Sequence, residues 1–309
     1  MRKAALLYNP LAGSRHDRRL ADVKAAAQVL RNAGIEVSIT ATQAQGTGEQ
    51  VRDAIGRGCD TIFACGGDGT VHDVLQTLVG SDIPLAIIPL GTANALAHDL
   101  RIPLTPAGAA RAALTAQAHR IAVGKVHYQD FSGNLGSRYF TVAVGIGADA
   151  YLFHALESSL KIRFGMGAYY AKATWLWLFL NMPNFTAEFP AQGGEPGKTD
   201  LSELLAVRIC NFGGVLRELA PGASLDRDDM RLVLFRTRSR LKYLRYIVRG
   251  LLGARWQVSG IELIHTNAVR CVARVDSPVY VEADGEILGT LPAEIGMLPN
   301  ALTILAPRA

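Results

Sequence analysis

The chain of 309 residues is 49% hydrophobic, enough to bury a large core, and its length fits two domains. Lys and Arg outnumber Asp and Glu by 32 to 27; this net +5 suits anionic substrates or an anionic membrane surface, and the lack of any block of like charge argues against a nucleic-acid-binding tail. Four scattered cysteines, Cys59, Cys65, Cys210 and Cys271, have no metal-ligand spacing and point to a reduced, cytoplasmic compartment.

Met1-Arg2-Lys3 leads straight into the apolar run Ala4 to Tyr8 without a cleavage-like site, so no signal peptide is expected. Ala173 to Leu180, the most apolar later segment, is too short to cross a bilayer. Lys3 to Tyr8 reads as a buried strand, and Asn9-Pro10-Leu11-Ala12-Gly13-Ser14 as the turn beyond it. Asp17 to Asn32 places Leu20, Val23, Ala27 and Leu30 on one helical face. Ile35 to Thr40 is a second strand, followed by a polar loop and a short helix that closes at Ile55.

Thr61 to Cys65 is a third strand, and Val71, Val74, Leu75 and Leu78 repeat at helical spacing behind it. Gly66-Gly67-Asp68-Gly69-Thr70 therefore fills a strand-to-helix turn, where backbone can approach a polyanion and a helix start offers unpaired N–H donors. Asp68 would repel phosphates unless it holds a divalent cation or bonds to the loop; the plainer reading is that it fastens a tight turn. Ile83 to Pro89 forms a fourth strand and ends in a second such turn, Leu90-Gly91-Thr92-Ala93-Asn94. Helices over Ala95 to Leu100 and Thr105 to Gln117 complete a βα alternation that predicts a parallel sheet covered on both sides, with ligands at the strands' carboxyl ends.

From residue 121 the chain changes character. Short strands are expected at Ile121 to Val126, Arg138 to Val144, Phe185 to Phe189, Leu204 to Asn211, Arg231 to Phe235, Val258 to Ile264, Val269 to Val275 and Val279 to Ala283. Helices interrupt them at Ala150 to Leu160, Ala168 to Leu180 and Leu241 to Leu252, and Gln192 to Lys198 reads as a turn. The expected organisation is an α/β domain over residues 1–120 and a strand-rich sandwich domain over 121–309, its last strand returning toward the first domain.

Taken together, Asn9-Pro10 with Gly13, Gly66-Gly67-Asp68-Gly69-Thr70, Pro89-Leu90-Gly91-Thr92-Ala93-Asn94, Gly145-Ile146-Gly147-Ala148-Asp149 and Asp284-Gly285-Glu286 resemble the diacylglycerol kinase catalytic family, which includes sphingosine kinases and bacterial lipid kinases. The resemblance implies a phosphofructokinase-like α/β domain, a β-sandwich second domain and a catalytic cleft between them. It implies ATP and Mg²⁺ as cofactors and a lipid hydroxyl, foremost that of diacylglycerol, as acceptor. Carried over by position, Asn9, Gly66, Gly67, Asp68, Gly69, Thr70, Val71, His72, Gly91, Thr92 and Asn94 line the ATP site, with Thr42 or, in another register, Thr40. Thr70 and Asn94 either contact phosphate or cap their helices.

By the same resemblance Glu286 is the base that deprotonates the acceptor, Asp284 orients the loop or helps hold Mg²⁺, and Asp68 acts through the metal. The plainer reading of Asp284-Gly285 is an ordinary hairpin turn. Asp149 recognises the lipid's polar head or else caps the following helix. Aromatic Ala168 to Leu180 and basic, apolar Leu241 to Trp256 either contact an anionic membrane or cover their own core. A homodimer is compatible with all of this.

The chain departs from the family pattern at Ala95, at His98, and at Arg227 and Asp228, which stand where an Asp-Gly pair is usual in a loop that forms an accessory Mg²⁺ site in some bacterial members. Either that cation is lost here, with Arg217 or the Arg236 to Arg240 stretch supplying charge, or Asp226 and Asp228 rebuild part of the site. The competing readings are a kinase of a sphingosine-like lipid or of phosphatidylglycerol, an NAD kinase, which shares the first glycine turn, and a catalytically inactive lipid-binding regulatory module.

Overall fold

A computed structural model describes residues 1–12, 18–43, 46–155, 182, 184–190, 197–213, 219–274 and 278–307. Gly13, Ser14, the Ala168 to Leu180 segment, Arg217 and most of the Gln192 to Lys198 turn lie outside the described residues.

The amino-terminal part is a parallel sheet. β1 (Lys3–Tyr8) pairs with β2 (Glu36–Ala41) on one side and β3 (Thr61–Gly66) on the other, and β4 (Leu85–Pro89) follows β3. The apolar runs of β1, β3 and β4 are buried because helices α1 (Arg19–Asn32), α2 (Thr47–Gly56), α3 (Asp68–Leu78), α4 (Ala95–Asp99) and α5 (Pro106–Thr115) cover the sheet. Since β2 and β3 flank β1, the chain reverses direction across the sheet there, and this switch point opens a crevice at the strands' carboxyl ends.

The carboxyl-terminal part is a β-sandwich of mostly antiparallel strands. Its members are β5 (Gln117–Gln129), β6 (Leu135–Phe140), β7 (Ala143–Gly147), β8 (Phe185–Phe189), β9 (Gly197–Leu201), β10 (Glu203–Val207), β11 (Met230–Phe235), β12 (Ile261–Thr266), β13 (Ala268–Ala273), β14 (Tyr280–Ala283) and β15 (Glu286–Ala306). Their inward residues, among them Val126, Phe140, Phe185, Leu232 and Val281, make a second core. A third lies under α7 (Arg240–Leu251), where Tyr243 and Tyr246 pack on Phe235. Helix α6 (Ala148–Ala155) follows β7.

Two differences from the sequence reading have clear causes. The expected strand over Arg138 to Val144 is split into β6 and β7, because the N–H groups of Thr141, Val142 and Ala143 all turn to the carboxylate of Asp284 and leave the ladder. The strand expected to reach Asn211 ends at Val207 as an element, and the N–H groups of Cys210 and Asn211 are taken by Asp99 of α4, each at 2.9 Å. β15 is 21 residues long and shifts register beside Pro292, which has no N–H to donate. It pairs with β14, β13 and β5, then runs parallel to β4 at Ile304 and Leu85, so one strand joins the sandwich to the parallel sheet.

Candidate active site

Three turns meet at the carboxyl ends of β1, β3 and β4. Asn9 N–H donates to Cys65 O at 3.1 Å and Leu90 N–H to Gly66 O at 2.8 Å, which holds the turns side by side. Gly67 and Gly91 touch through their backbones: a Cβ on Gly91 would stand 2.4 Å from the Cα of Gly67, so only glycine fits. Asn94 adopts φ +50° and folds back on its own turn, accepting from Gly91 N–H and donating to Gly91 O, both at 2.9 Å. Asp68 Oδ1 accepts from Ala95 N–H at 2.7 Å and thereby stitches the first glycine turn to the start of α4. Asn9 Oδ1 braces its turn through Leu11 N–H, and Thr42 donates backbone and hydroxyl hydrogens to Tyr8 O at the end of β2.

The cofactor-lining set named from sequence is thus mostly assembled around one crevice, with distinctions that only packing reveals. Thr92 is exposed at its rim, whereas Thr70 is buried with its side chain packed against Gly66. Val71 belongs to the first core, and His72 turns toward the second part of the molecule.

The hairpin between β14 and β15 closes the other side. Asp284 and Gly285 have φ of +49° and +85°, the two left-handed residues of a type I′ turn. The Asp284 carboxylate accepts from three successive N–H groups, those of Thr141, Val142 and Ala143 at 2.9–3.0 Å, and lies 3.3 Å from His72 Nδ1. A carboxylate can only accept, so Nδ1 carries the hydrogen, and α3 of the parallel sheet is thereby bound to the hairpin. Two residues on, Glu286 reaches the amino end of the same helix: its Oε1 lies 3.2 Å from where a Cβ on Gly69 would be. Its Oε2 accepts from Arg138 Nη2 at 3.1 Å, and Arg138 also meets Asp73 at 3.4 Å. Arg138 and Asp73 were not among the residues read from sequence; nothing about an arginine within a strand or an aspartate within a helix marks them.

The electrostatics are acidic. Burial raises the pKa of Asp68, offset in part by backbone N–H bonds from Ala95 and Asn94, and Asp284 raises it further. Burial likewise lifts Asp73, with Glu286 adding to the effect and Arg138 opposing it. Among the described residues no group of three or more His, Cys, Asp or Glu side chains is arranged to hold a metal ion by itself. Asp284 is spent on its four donors and lies buried, so it orients the hairpin and does not hold a metal; Asp68, Asp73 and Glu286 remain as the carboxylates beside the glycine turns, a hard oxygen donor set whose chemistry fits Mg²⁺.

Behind the hairpin lies a cluster of buried acids that the sequence reading touched only at Asp149. Glu282 Oε2 accepts from Gly285 N–H at 2.9 Å, and a Cβ on Gly145 would collide with both Asp149 Oδ2 and Glu282 Oε1, so glycine leaves the room that these two carboxyl groups occupy. Asp149 is the second residue of α6 and bonds to the adjacent Ala150 N–H at 2.6 Å. Burial pushes its pKa up to about 7. Glu203, near the Tyr243 hydroxyl, and Glu282 are raised well above the ordinary range by burial and then by Asp149. These acids bind protons more tightly folded than unfolded, so their stabilising contribution is full below about pH 4 and declines as pH rises through 7 and beyond. Glu282→Gln keeps an oxygen for Gly285 N–H but cannot ionise. Thermal melts between pH 5 and 9 should show it losing less stability toward alkaline pH than the parent chain by roughly 1–2 kcal/mol; parallel curves would refute this assignment.

The loop at residues 221–230 has a different organiser from those anticipated. The guanidinium of fully buried Arg208 donates to the carbonyl oxygens of Ala122, Leu225, Arg227 and Asp229, so a protein cation occupies the centre of the loop. Arg227 instead forms a paired bond with Asp229, both contacts at 2.6 Å, and Asp229 also meets His265. The candidates Arg236 and Arg240 lie elsewhere: Arg236 pairs with Glu262, and Arg240 begins α7.

Residues 3–126 match the family described as Diacylglycerol kinase catalytic domain, and residues 193–306 match the YegS C-terminal NAD kinase beta sandwich-like domain. Residues 3–126 belong to the diacylglycerol kinase catalytic domain family. As a family member of the lipid kinase type the chain is 29% identical to a Diacylglycerol kinase of Bacillus subtilis (strain 168), over 100% of this chain and 97% of that one. Its fold resembles the crystal structure of a diacylglycerol kinase from Bacillus anthracis str. Sterne, with a TM-score of 0.69 at 20% identity over 98% of this chain and 96% of that one. Yeast NADH kinase complexed with NADH shares the fold more distantly, with a TM-score of 0.53 at 12% identity over 100% of this chain and 84% of that chain. Among the described residues of this lipid kinase relative, no helix is long and apolar enough to cross a membrane.

Proposed function

We propose that this chain transfers the γ-phosphoryl group of ATP to a lipid hydroxyl, with diacylglycerol as the acceptor. The observation that carries the reading is the meeting of Glu286 with the Gly69 end of α3, where the late hairpin faces the early glycine turns. Backbone N–H groups of the first glycine turn and the exposed Thr92 hydroxyl bind the phosphate chain, while the Gly67–Gly91 contact lets it approach the backbone. Arg138 holds the Glu286 carboxylate in place, and Glu286 takes the proton of the acceptor hydroxyl as its oxygen attacks the γ-phosphorus and ADP departs. Asp68 is the residue that would hold Mg²⁺, which when bound neutralises charge on the transferred group. Asp149, whose pKa burial raises to about 7, offers its carboxyl group as a hydrogen-bond partner to the lipid's polar head.

The test is labelled-phosphate transfer from ATP to diacylglycerol, sphingosine, phosphatidylglycerol and NAD, each presented separately. Labelled phosphatidic acid is the expected product. Label appearing only on NAD, or ATP binding with no lipid labelled, would overturn the proposal in favour of a dinucleotide kinase or an inactive module.

A further inference from the structure

Outside the nucleotide crevice, α7 presents two unlike faces. Tyr243 and Tyr246 are buried on the third core, whereas Leu241, Leu244, Val248, Leu251 and Leu252 are exposed, the first and last of these at 66% and 68%. Their spacing of three, four, three and one residues makes a stripe along one side of the helix, opposite to the polar face that a solvated helix normally shows. Arg238, Arg240, Lys242 and Arg245 flank the stripe with positive charge.

At the carboxyl end of α7 an open cavity of about 710 Å³ is lined by Arg231, Arg249 and Arg255. Arg249 is 5% exposed, and its guanidinium lies over the Tyr246 ring at 4.2 Å while Nη2 donates to Leu219 O at 3.2 Å. Its Nε is nonetheless buried without an acceptor, and so is the Nε of Arg231. Glu262, the acid on the cavity wall, is already paired with Arg236 at 3.1 Å. The two Nε atoms are shielded from solvent, and what the cavity offers is three guanidinium groups on its wall, that of Arg249 held in place by Leu219 O and the Tyr246 ring, which together form a receptor for a tetrahedral oxyanion.

We propose that this cavity binds the phosphate group of an anionic phospholipid while the exposed leucine stripe of α7 enters the same bilayer. The lipid source is favoured over free phosphate because Arg249 lies on α7 itself and Arg255 follows it, so the charged cavity and the apolar stripe are presented by one element. The site deepens the lipid-kinase reading by supplying a docking surface that shares no residue with the nucleotide crevice, and it is tested without turnover.

Flotation of the full chain with phosphatidylcholine vesicles, with and without phosphatidic acid, is compared with thermal stabilisation by inorganic phosphate. Co-flotation with the anionic vesicles alone is expected. Arg255→Gln, at an exposed position, should weaken it roughly fivefold. Leu251→Ser with Leu252→Ser should abolish flotation while leaving phosphate stabilisation intact. Stabilisation by phosphate without flotation would overturn the membrane assignment, and flotation indifferent to both Arg255→Gln and Arg231→Gln would overturn the cavity. A failed lipid-kinase assay would bear on the catalytic proposal and leave these binding results standing.

Discussion

Under the proposed reaction, Glu286→Gln is expected to lower phosphoryl transfer to lipid by about 10²–10⁴-fold and to leave ATP affinity unchanged, as when a general base is replaced by its neutral isostere. The separation follows from position. Glu286 stands on the hairpin and meets the glycine turn at Gly69, whereas the backbone donors, Asn94 and Asp68 that shape the glycine turns, the proposed phosphate site, belong to the parallel-sheet part. The amide retains an oxygen that can accept from Arg138, so the hairpin keeps its place and only the capacity to take a proton is lost. Single-turnover transfer alongside equilibrium ATP binding checks both halves. A variant with undiminished transfer would remove Glu286 from the chemistry.

Asp284→Ala has the largest expected effect on stability. It strips acceptors from the N–H groups of Thr141, Val142 and Ala143 and from His72 Nδ1, in a site where the Asp284 side chain is 3% exposed and water cannot fully replace it. At about 1–3 kcal/mol for each orphaned buried donor, with partial relaxation, the loss should be at least ~3 kcal/mol and the midpoint of thermal unfolding should fall by roughly 5 °C or more. Activity should fall with it, because Glu286 depends on the hairpin that Asp284 anchors. Asp284→Asn retains one accepting oxygen and should lie between the two. A melting temperature for the Ala variant equal to that of the parent would mean that the four bonds carry no net stability.

These effects explain which residues were legible in advance. Glycine turns announce themselves because φ above zero and backbone contact without a Cβ restrict the residue type, as at Gly67, Gly91 and Gly285. Apolar periodicity marked α3 and the buried strands for a similarly local reason. Arg138, Asp73, Glu282 and Glu203 carry no such mark: an acid within the strand Tyr280–Ala283 or an arginine within the strand Leu135–Phe140 is compatible with a solvated edge as much as with a buried cluster. Arg208 is the sharpest case, since it is buried by four carbonyl partners drawn from distant segments of the chain.

By itself, then, the order of residues determined the alternation of strands and helices, the two glycine turns, the acidic hairpin and the family they resemble, because each rests on backbone preferences within a few neighbours. Tertiary structure alone decided that Asp284 breaks one expected strand in two, that His72 leaves the turn to meet the hairpin, that Glu286 is held by Arg138, and that α7 shows leucines to the outside beside unsatisfied arginines. Those outcomes depend on which side chains from separate segments satisfy each other once water is excluded, and that competition has no local signature.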